Sequence, residues 1–148
     1  MPSEELRKKI QLRREETEAA RLPELLVGVH AFGYHQDGEM PDWLDSLLAQ
    51  YRRTDSVPDS RIGDEVSDEE VNLWIEEFVE QSSIGQRFYL RTWMEFFPWL
   101  ECLVSGKGWV RSIREALGSD LIFVSQDKTA LVVIFEEEYE YLGFRYAA

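Results

Sequence analysis

The spacing of apolar residues along the chain changes from a helical to a strand-like pattern near residue 120. Before that point apolar residues recur at intervals of three and four, which places them on one face of an α-helix. After it come three short segments rich in β-branched and aromatic residues, at 121–125, 129–135 and 139–146. The sequence therefore predicts an α+β fold of about five helices followed by a C-terminal antiparallel β-sheet of about three strands.

Residues 67–80 carry the strongest helix signal. Ser67 and Glu70 have the spacing of a capping box, in which side chains bind backbone N–H groups that the first helical turn leaves free. Apolar residues follow at i, i+3, i+4, i+7 and i+8, namely Val71, Trp74, Ile75, Phe78 and Val79. This pattern predicts an amphipathic helix whose outward face is acidic.

Three more helices are predicted downstream of the N-terminus. Pro41 suits the first turn of a helix that continues to Tyr51. A second capping box, Ser83 to Gln86, predicts an aromatic core helix that Pro98 kinks or ends, with residues 99–104 as a further turn or two. Apolar spacing predicts the last helix over residues 109–117.

Two connecting segments are less regular. Residues 25–34 fit either a buried strand or a short helix, because periodicity cannot separate the two over so short a run. Residues 54–66 contain proline, glycine and several short polar side chains, which predicts a loop of about a dozen residues.

The length of 148 residues suits one domain. Residues 1–22 are expected to form a charged, peripheral helix before Pro23, and residues 23–148 the core. Cys102 is the single cysteine, which excludes an internal disulfide and a zinc site built on paired thiolates. The charged start lacks the apolar segment of a secretion signal, and no stretch approaches the roughly 18 apolar residues of a membrane span, so a cytoplasmic location is expected.

Negative charge is concentrated in the middle of the chain. The formal net charge is -13, and residues 37–80 hold fourteen acidic and three basic side chains, a net charge of -11. Such a surface repels free nucleic acid and anionic membranes, and it attracts basic protein surfaces. We therefore expect a basic protein partner, with neither direct nucleic-acid binding nor membrane binding.

The predicted partner-binding residues lie in the loop and helix of this acidic region. They are carboxylates with no lysine or arginine on the same helix to neutralise them. The predicted set is Asp59, Asp64, Glu65, Asp68, Glu69, Glu76, Glu77 and Glu80. An acidic solubility surface is the alternative interpretation of the same charges.

Other sequence features give weak support for catalysis. His30, His35, Asp37 and Glu39 lie within ten residues, but a five-residue separation of the histidines does not match the i, i+4 spacing of helical zinc sites. We expect a half-buried His30, a surface His35 and no bound metal or other cofactor. Cys102 follows an apolar segment and is expected to be a buried structural thiol.

The chain resembles the immunity proteins of bacterial polymorphic and contact-dependent toxin systems. The resemblance lies in residues 109–117 and the two strand segments that follow them, 121–125 and 131–136. It implies a non-enzymatic inhibitor that neutralises a cognate, basic toxin, such as a nuclease, by presenting carboxylates where phosphates would lie. Two alternatives remain: a phage-type DNA mimic that inhibits a host nucleic-acid enzyme, and a small metal-dependent or acid-base enzyme using His30, His35 and nearby carboxylates.

Overall fold

The structure is a computed structural model that describes residues 3–148. In this range the helical elements are α1 (Glu4–Leu25), a 3-10 turn (Asp37–Glu39), α2 (Leu44–Tyr51), α3 (Asp68–Glu80) and α4 (Trp109–Leu117). The strands are β1 (Val29–His35), β2 (Ser60–Gly63), β3 (Arg87–Arg91), β4 (Trp99–Val104), β5 (Leu121–Ser125), β6 (Ala130–Glu136) and β7 (Glu140–Ala147). No helix of the described residues is long and apolar enough to cross a membrane.

The strands form one antiparallel sheet in the order β1-β4-β3-β5-β6-β7-β2. Consecutive strands pair directly in β3–β4, β5–β6 and β6–β7. The edge strands are β1, which is interrupted by a bulge between Ala31 and Gly33, and β2, which has four residues. A bulged edge and a short edge both discourage pairing with the sheet of another molecule.

Helices cover both faces of the sheet. Phe88 and Leu90 of β3 belong to a core cluster that includes buried residues of α1, α3 and α4. Tyr89, between them, points to the opposite face and belongs to a second cluster with Leu44 and Leu48 of α2. The helices α1, α3 and α4 therefore lie on one side of the sheet and α2 on the other.

The α+β class is as predicted, but the predicted totals of about five helices and about three strands are wrong. The described part of the chain has four α-helices and seven strands, and β1 to β4 are interspersed with helices instead of following them. Residues 25–34 contain β1, and the predicted loop over 54–66 contains β2.

The predicted aromatic helix over residues 83–97 is instead β3 and the loop after it. Gly85 has a φ of +75°, a left-handed conformation that interrupts any helix beginning at Ser83. Because core residues pack on both faces of the sheet at β3, Phe88, Tyr89 and Leu90 are all buried. A strand buried on both faces shows a continuous apolar run, which mimics helical spacing. Residues 99–104 form β4 for the same reason.

The α1 helix continues past Pro23, where the sequence predicts its end. Proline lacks the N–H that would donate to the carbonyl of Ala19, four residues earlier. The hydroxyl of Tyr34 donates to that carbonyl at 2.7 Å. A side chain of β1 thus supplies the hydrogen bond that the proline removes.

Replacing Tyr34 by phenylalanine is expected to lower the free energy of unfolding by about 1–2 kcal/mol, because the Ala19 carbonyl loses its donor. Urea denaturation measures this loss. In a Pro23→Ala background residue 23 regains its N–H, so Tyr34→Phe is expected to cost much less there. Equal costs in the two backgrounds would show that the hydroxyl does not substitute for the missing helical bond.

Candidate protein-binding site

The cap and core residues of α3 determine which of its side chains face outward. The Ser67 hydroxyl accepts a hydrogen bond from the backbone N–H of Glu70 at 3.2 Å, which fixes the first turn as predicted. The buried residues of α3 are Val71, Ile75, Phe78 and Val79. Because this stripe faces the sheet, the glutamates on the opposite side of the helix face outward.

Three glutamates form one line on the outer face of α3. At about 100° of rotation per residue, Glu69, Glu76 and Glu80 fall within about 40° of one another. Glu77 lies on the other side of the outer face, and Leu73 lies between Glu77 and the line of three. Leu73 is 58% exposed. We call these five residues the α3 outer face.

The four glutamates of the α3 outer face form no salt bridge with any residue from 3 to 148. Three arginines that could neutralise acidic groups pair elsewhere: Arg53 with Asp55, Arg87 with Glu101 and Arg91 with Asp37. Three of the four glutamates are exposed, and Glu76 is half-buried. The face is therefore negatively charged, and none of its glutamates has a salt-bridge partner among residues 3–148.

Two predicted residues lie on opposite flanks of α3. Asp68 approaches Arg114 of α4, with 3.7 Å between Oδ1 and Nη2. Asp59 precedes β2, and its carboxylate accepts from the backbone N–H of Arg145 at 2.8 Å. Since Trp74 on that side of α3 donates to Ser60, Asp59 belongs to the flank away from α4.

The remaining predicted residues, Asp64 and Glu65, are exposed in the turn between β2 and α3. The backbone N–H of Asp64 donates to the Tyr139 carbonyl at 3.0 Å, which ties this turn to the segment before β7. Of the eight predicted carboxylates, three thus form a line along α3, Glu77 lies beside that line, and the other four lie in the preceding turn and on the two flanks.

The structure adds residues that the sequence prediction omits. Arg111 and Arg114 of α4 line, with Asp68 and Glu69, a depression of about 400 Å³ between α3 and α4. Arg114 donates to the side-chain oxygen of Asn72 at 2.6 Å. These arginines lie some forty residues from α3, so no local pattern indicates them. Leu73 could have been found, because it is an apolar residue at an outward position of the predicted helix.

A second charged cluster lies on the opposite side of the sheet. Glu101 of β4 is buried, and it accepts hydrogen bonds from Arg87 Nε at 2.7 Å and His35 Nε2 at 2.8 Å. The other ring nitrogen of His35 lies 3.2 Å from Glu39. The ring of Tyr89 packs edge-on against His35. This network links β1, β3, β4 and the 3-10 turn.

The four residues considered for a metal site do not form one cluster, although His35 contacts Glu39. Asp37 instead binds Arg91 and the indole N–H of Trp99. The predicted burial of the histidines is reversed, since His30 is exposed against Phe32 and His35 is half-buried. Residues 3–148 contain no group of three or more histidine, cysteine, aspartate or glutamate side chains arranged to hold a metal ion.

The pKa of Glu101 lies below its ordinary value of 4.5. Burial acts to raise this pKa, but the hydrogen bonds and charges of Arg87 and His35 outweigh burial. A carboxyl group with a depressed pKa contributes stability above its unfolded-state pKa and loses it as pH falls through the folded-state value. The contribution of Glu101 should therefore be complete near neutral pH and disappear below about pH 4.5.

The Glu101→Gln variant is expected to lose about 1.5–3 kcal/mol near neutral pH, since it replaces a charged acceptor with a neutral one. Its free energy of unfolding should also decline less steeply between about pH 5 and pH 3 than that of the native chain. Urea denaturation at a series of pH values measures both effects. If the free energies of unfolding of the two proteins changed in parallel with pH, the assigned role of Glu101 would be contradicted.

Cys102 is buried in β4, as expected of a structural thiol. Burial, with a smaller effect from the Glu101 charge, raises the pKa of its thiol to about 12. The thiolate form is therefore scarce at neutral pH.

Comparisons of the chain with protein-family models, curated proteins and solved structures gave no match.

Proposed function

We propose that this chain is a protein-binding inhibitor that holds a basic surface of its partner on the α3 outer face, in the manner of an immunity protein bound to its cognate toxin. The observation that carries the proposal is the line of Glu69, Glu76 and Glu80, which lack salt-bridge partners among residues 3–148 and run beside the exposed Leu73. The exposed Leu73 beside this line offers such a partner an apolar contact.

Charge and apolar contact have separate roles in this proposal. The carboxylates without salt-bridge partners attract a basic partner over a distance of about 8 Å at physiological salt, which accelerates association. Leu73 then provides a desolvated contact at the centre of the face, where such contacts contribute most to affinity. The flanking carboxylates Asp59 and Asp68 extend the negative surface on either side of α3.

The preferred partner is a toxin domain that itself binds an anionic substrate, such as a nuclease. The row of carboxylates on α3 then competes with the phosphates of that substrate for the basic side chains of the toxin domain. A host nucleic-acid enzyme would present a similar basic cleft, so the partner's identity separates an immunity protein from a DNA mimic. We place this interaction in the cytoplasm, where a chain with one free cysteine is not exposed to disulfide formation.

The proposal is tested by affinity capture from a lysate of the source cell with two immobilised baits. One bait is the native chain, and the other carries Glu69→Lys, Glu76→Lys and Glu77→Lys. We expect a basic protein that binds the native bait, elutes as salt is raised, is displaced by duplex DNA and is absent from the variant bait. Its enzymatic activity should be inhibited by the native chain.

The matched control bait carries Asp42→Lys, Glu137→Lys and Glu138→Lys. These substitutions change the net charge by the same amount as the α3 triple variant, at exposed positions away from α3. The control is expected to capture the same protein as the native bait. Equal loss of capture with both triple variants would attribute binding to net charge and contradict a site on α3.

A further inference from the structure

The first three turns of α1 extend away from the rest of the molecule. From Ser3 to Arg14 every residue is exposed except Leu12, which is half-buried. The first buried residue of the helix is Glu15, whose carboxylate accepts from the backbone N–H groups of Glu95 and Phe96 at 3.2 and 2.7 Å. The second half of α1 is thus anchored to the loop between β3 and β4, while the first half has no partner within the described chain.

This free segment is basic, in contrast to the rest of the chain. Residues 4–14 carry five basic and two acidic side chains, a net charge of +3, against -13 for the whole protein. The five cations are Arg7, Lys8, Lys9, Arg13 and Arg14, and none of them forms a salt bridge with a residue from 3 to 148.

The cations flank an apolar pair on the side of α1 that faces away from the core. Leu6 and Ile10 are 46% and 44% exposed, and by helical rotation they lie roughly opposite Glu15. Lys9 and Arg13 border this pair on one side, and Arg7 and Arg14 border it on the other. We call this surface, Leu6 and Ile10 with the four bordering cations, the α1 outer face.

The α1 and α3 outer faces are complementary in sign and pattern. Each has an exposed apolar centre bordered on both sides by charges, which are cations on α1 and carboxylates on α3. The cations extend from Arg7 to Arg14, about 10 Å of helix, and the carboxylates from Glu69 to Glu80, about 16 Å. Two such helices can pack with Leu73 against the Leu6 and Ile10 pair while the charges on both borders meet their opposites.

The arrangement of the helices lets two molecules make this contact twice. Ser112 of α4 bonds the backbone of Leu25 and Val27 at the end of α1. Arg114, two positions later and so on the other side of α4, bonds the start of α3. The end of α1 and the start of α3 thus lie on opposite sides of α4, and under two-fold symmetry a contact of α1 with the α3 of a second copy is repeated by the α1 of that copy.

We propose that two copies of the chain associate face to face through their helical layers, with the α1 outer face of each on the α3 outer face of the other. Both contacts are partly solvent-exposed ion pairs around a small apolar centre, so the dimer is weak and sensitive to salt. The inference does not depend on the proposed inhibitor function, although a dimer would cover the α3 outer face and compete with any partner bound there.

Sedimentation equilibrium of the full chain tests the dimer. At low ionic strength the mass is expected to rise with protein concentration from 17.4 kDa towards twice that value, and to return to the monomer value as salt is added. The Arg13→Glu, Arg14→Glu variant should raise the dissociation constant at least about tenfold. Adding Glu76→Lys and Glu77→Lys to that variant exchanges the sign of two charges on each face and should restore the dimer.

The matched control is Arg52→Glu, Arg53→Glu, an adjacent arginine pair at the end of α2 on the opposite side of the sheet. It should dimerise like the native chain. Three results would each overturn the proposal. The native chain could stay monomeric, the two arginine-pair variants could weaken dimerisation equally, or the variant with all four substitutions could remain monomeric. Circular dichroism verifies that each variant is folded.

The same variants separate this proposal from the inhibitor function. Reversing Arg13 and Arg14 removes self-association and leaves partner binding intact, whereas reversing Glu76 and Glu77 weakens both. A dimer that is unaffected by either reversal overturns the inferred interface whatever the outcome of partner capture.

Discussion

Replacing Trp99 by alanine is expected to reduce the free energy of unfolding by about 3–5 kcal/mol. Trp99 of β4 is fully buried in the cluster that α2 covers, and its indole N–H donates to Asp37 Oδ1 at 2.8 Å. Its removal leaves a large cavity beneath α2 and takes the donor from an aspartate that also holds Arg91. Urea denaturation monitored by far-ultraviolet circular dichroism measures the loss.

Trp93→Ala is the matched control, because the same side chain is deleted six residues earlier in the sequence. Trp93 lies in the loop between β3 and β4 and is 58% exposed, so its loss should change the free energy of unfolding by less than about 0.5 kcal/mol. The helix predicted over residues 83–97 places Trp93 in the core instead. A large loss with Trp93→Ala would therefore support that helix and contradict the strand arrangement.

The elements that the sequence predicts correctly are those determined by neighbours in the chain. The amphipathic helix after Ser67 follows from its cap and its own apolar spacing, and α3 begins at Asp68. The C-terminal strands follow from short turns, since β5, β6 and β7 pair with consecutive partners. In both cases the sequence signals that mark the element lie within about twenty positions of it.

The elements that the sequence mispredicts depend on distant partners. Strand β3 pairs with β5, about thirty-five residues later, and β1 pairs with β4, about seventy residues later. Burial on both faces removes the alternation that marks a strand at a surface, so the aromatic run around Phe88 resembles a helix. The continuation of α1 through Pro23 likewise depends on the Tyr34 hydroxyl, which no local pattern reveals.

The candidate site is predicted from sequence to the extent that it lies on one helix. The spacing of Glu69, Glu76 and Glu80 places them on one line once α3 is assigned. The position of α4 beside that line, and the exposure of Leu73 within it, require the tertiary structure.

Reversing Glu69, Glu76 and Glu77 to lysine is expected to slow association with a basic partner about a hundredfold at low ionic strength, because attraction becomes repulsion at the point of encounter. Dissociation should change less, since much of the affinity at the centre of the face comes from the exposed Leu73. Stopped-flow measurements with the captured partner at several salt concentrations give both rates.

Leu73→Ala is the counterpart of the charge reversal and should act on the opposite step. It leaves every carboxylate in place, so association should keep its rate and its salt dependence, while dissociation accelerates. The two variants together test whether steering and anchoring are divided between the glutamates and the leucine of one helix face. Unchanged association in the triple variant would mean that the partner approaches elsewhere, and the α3 outer face would then be a solubility surface whose one leucine is incidental.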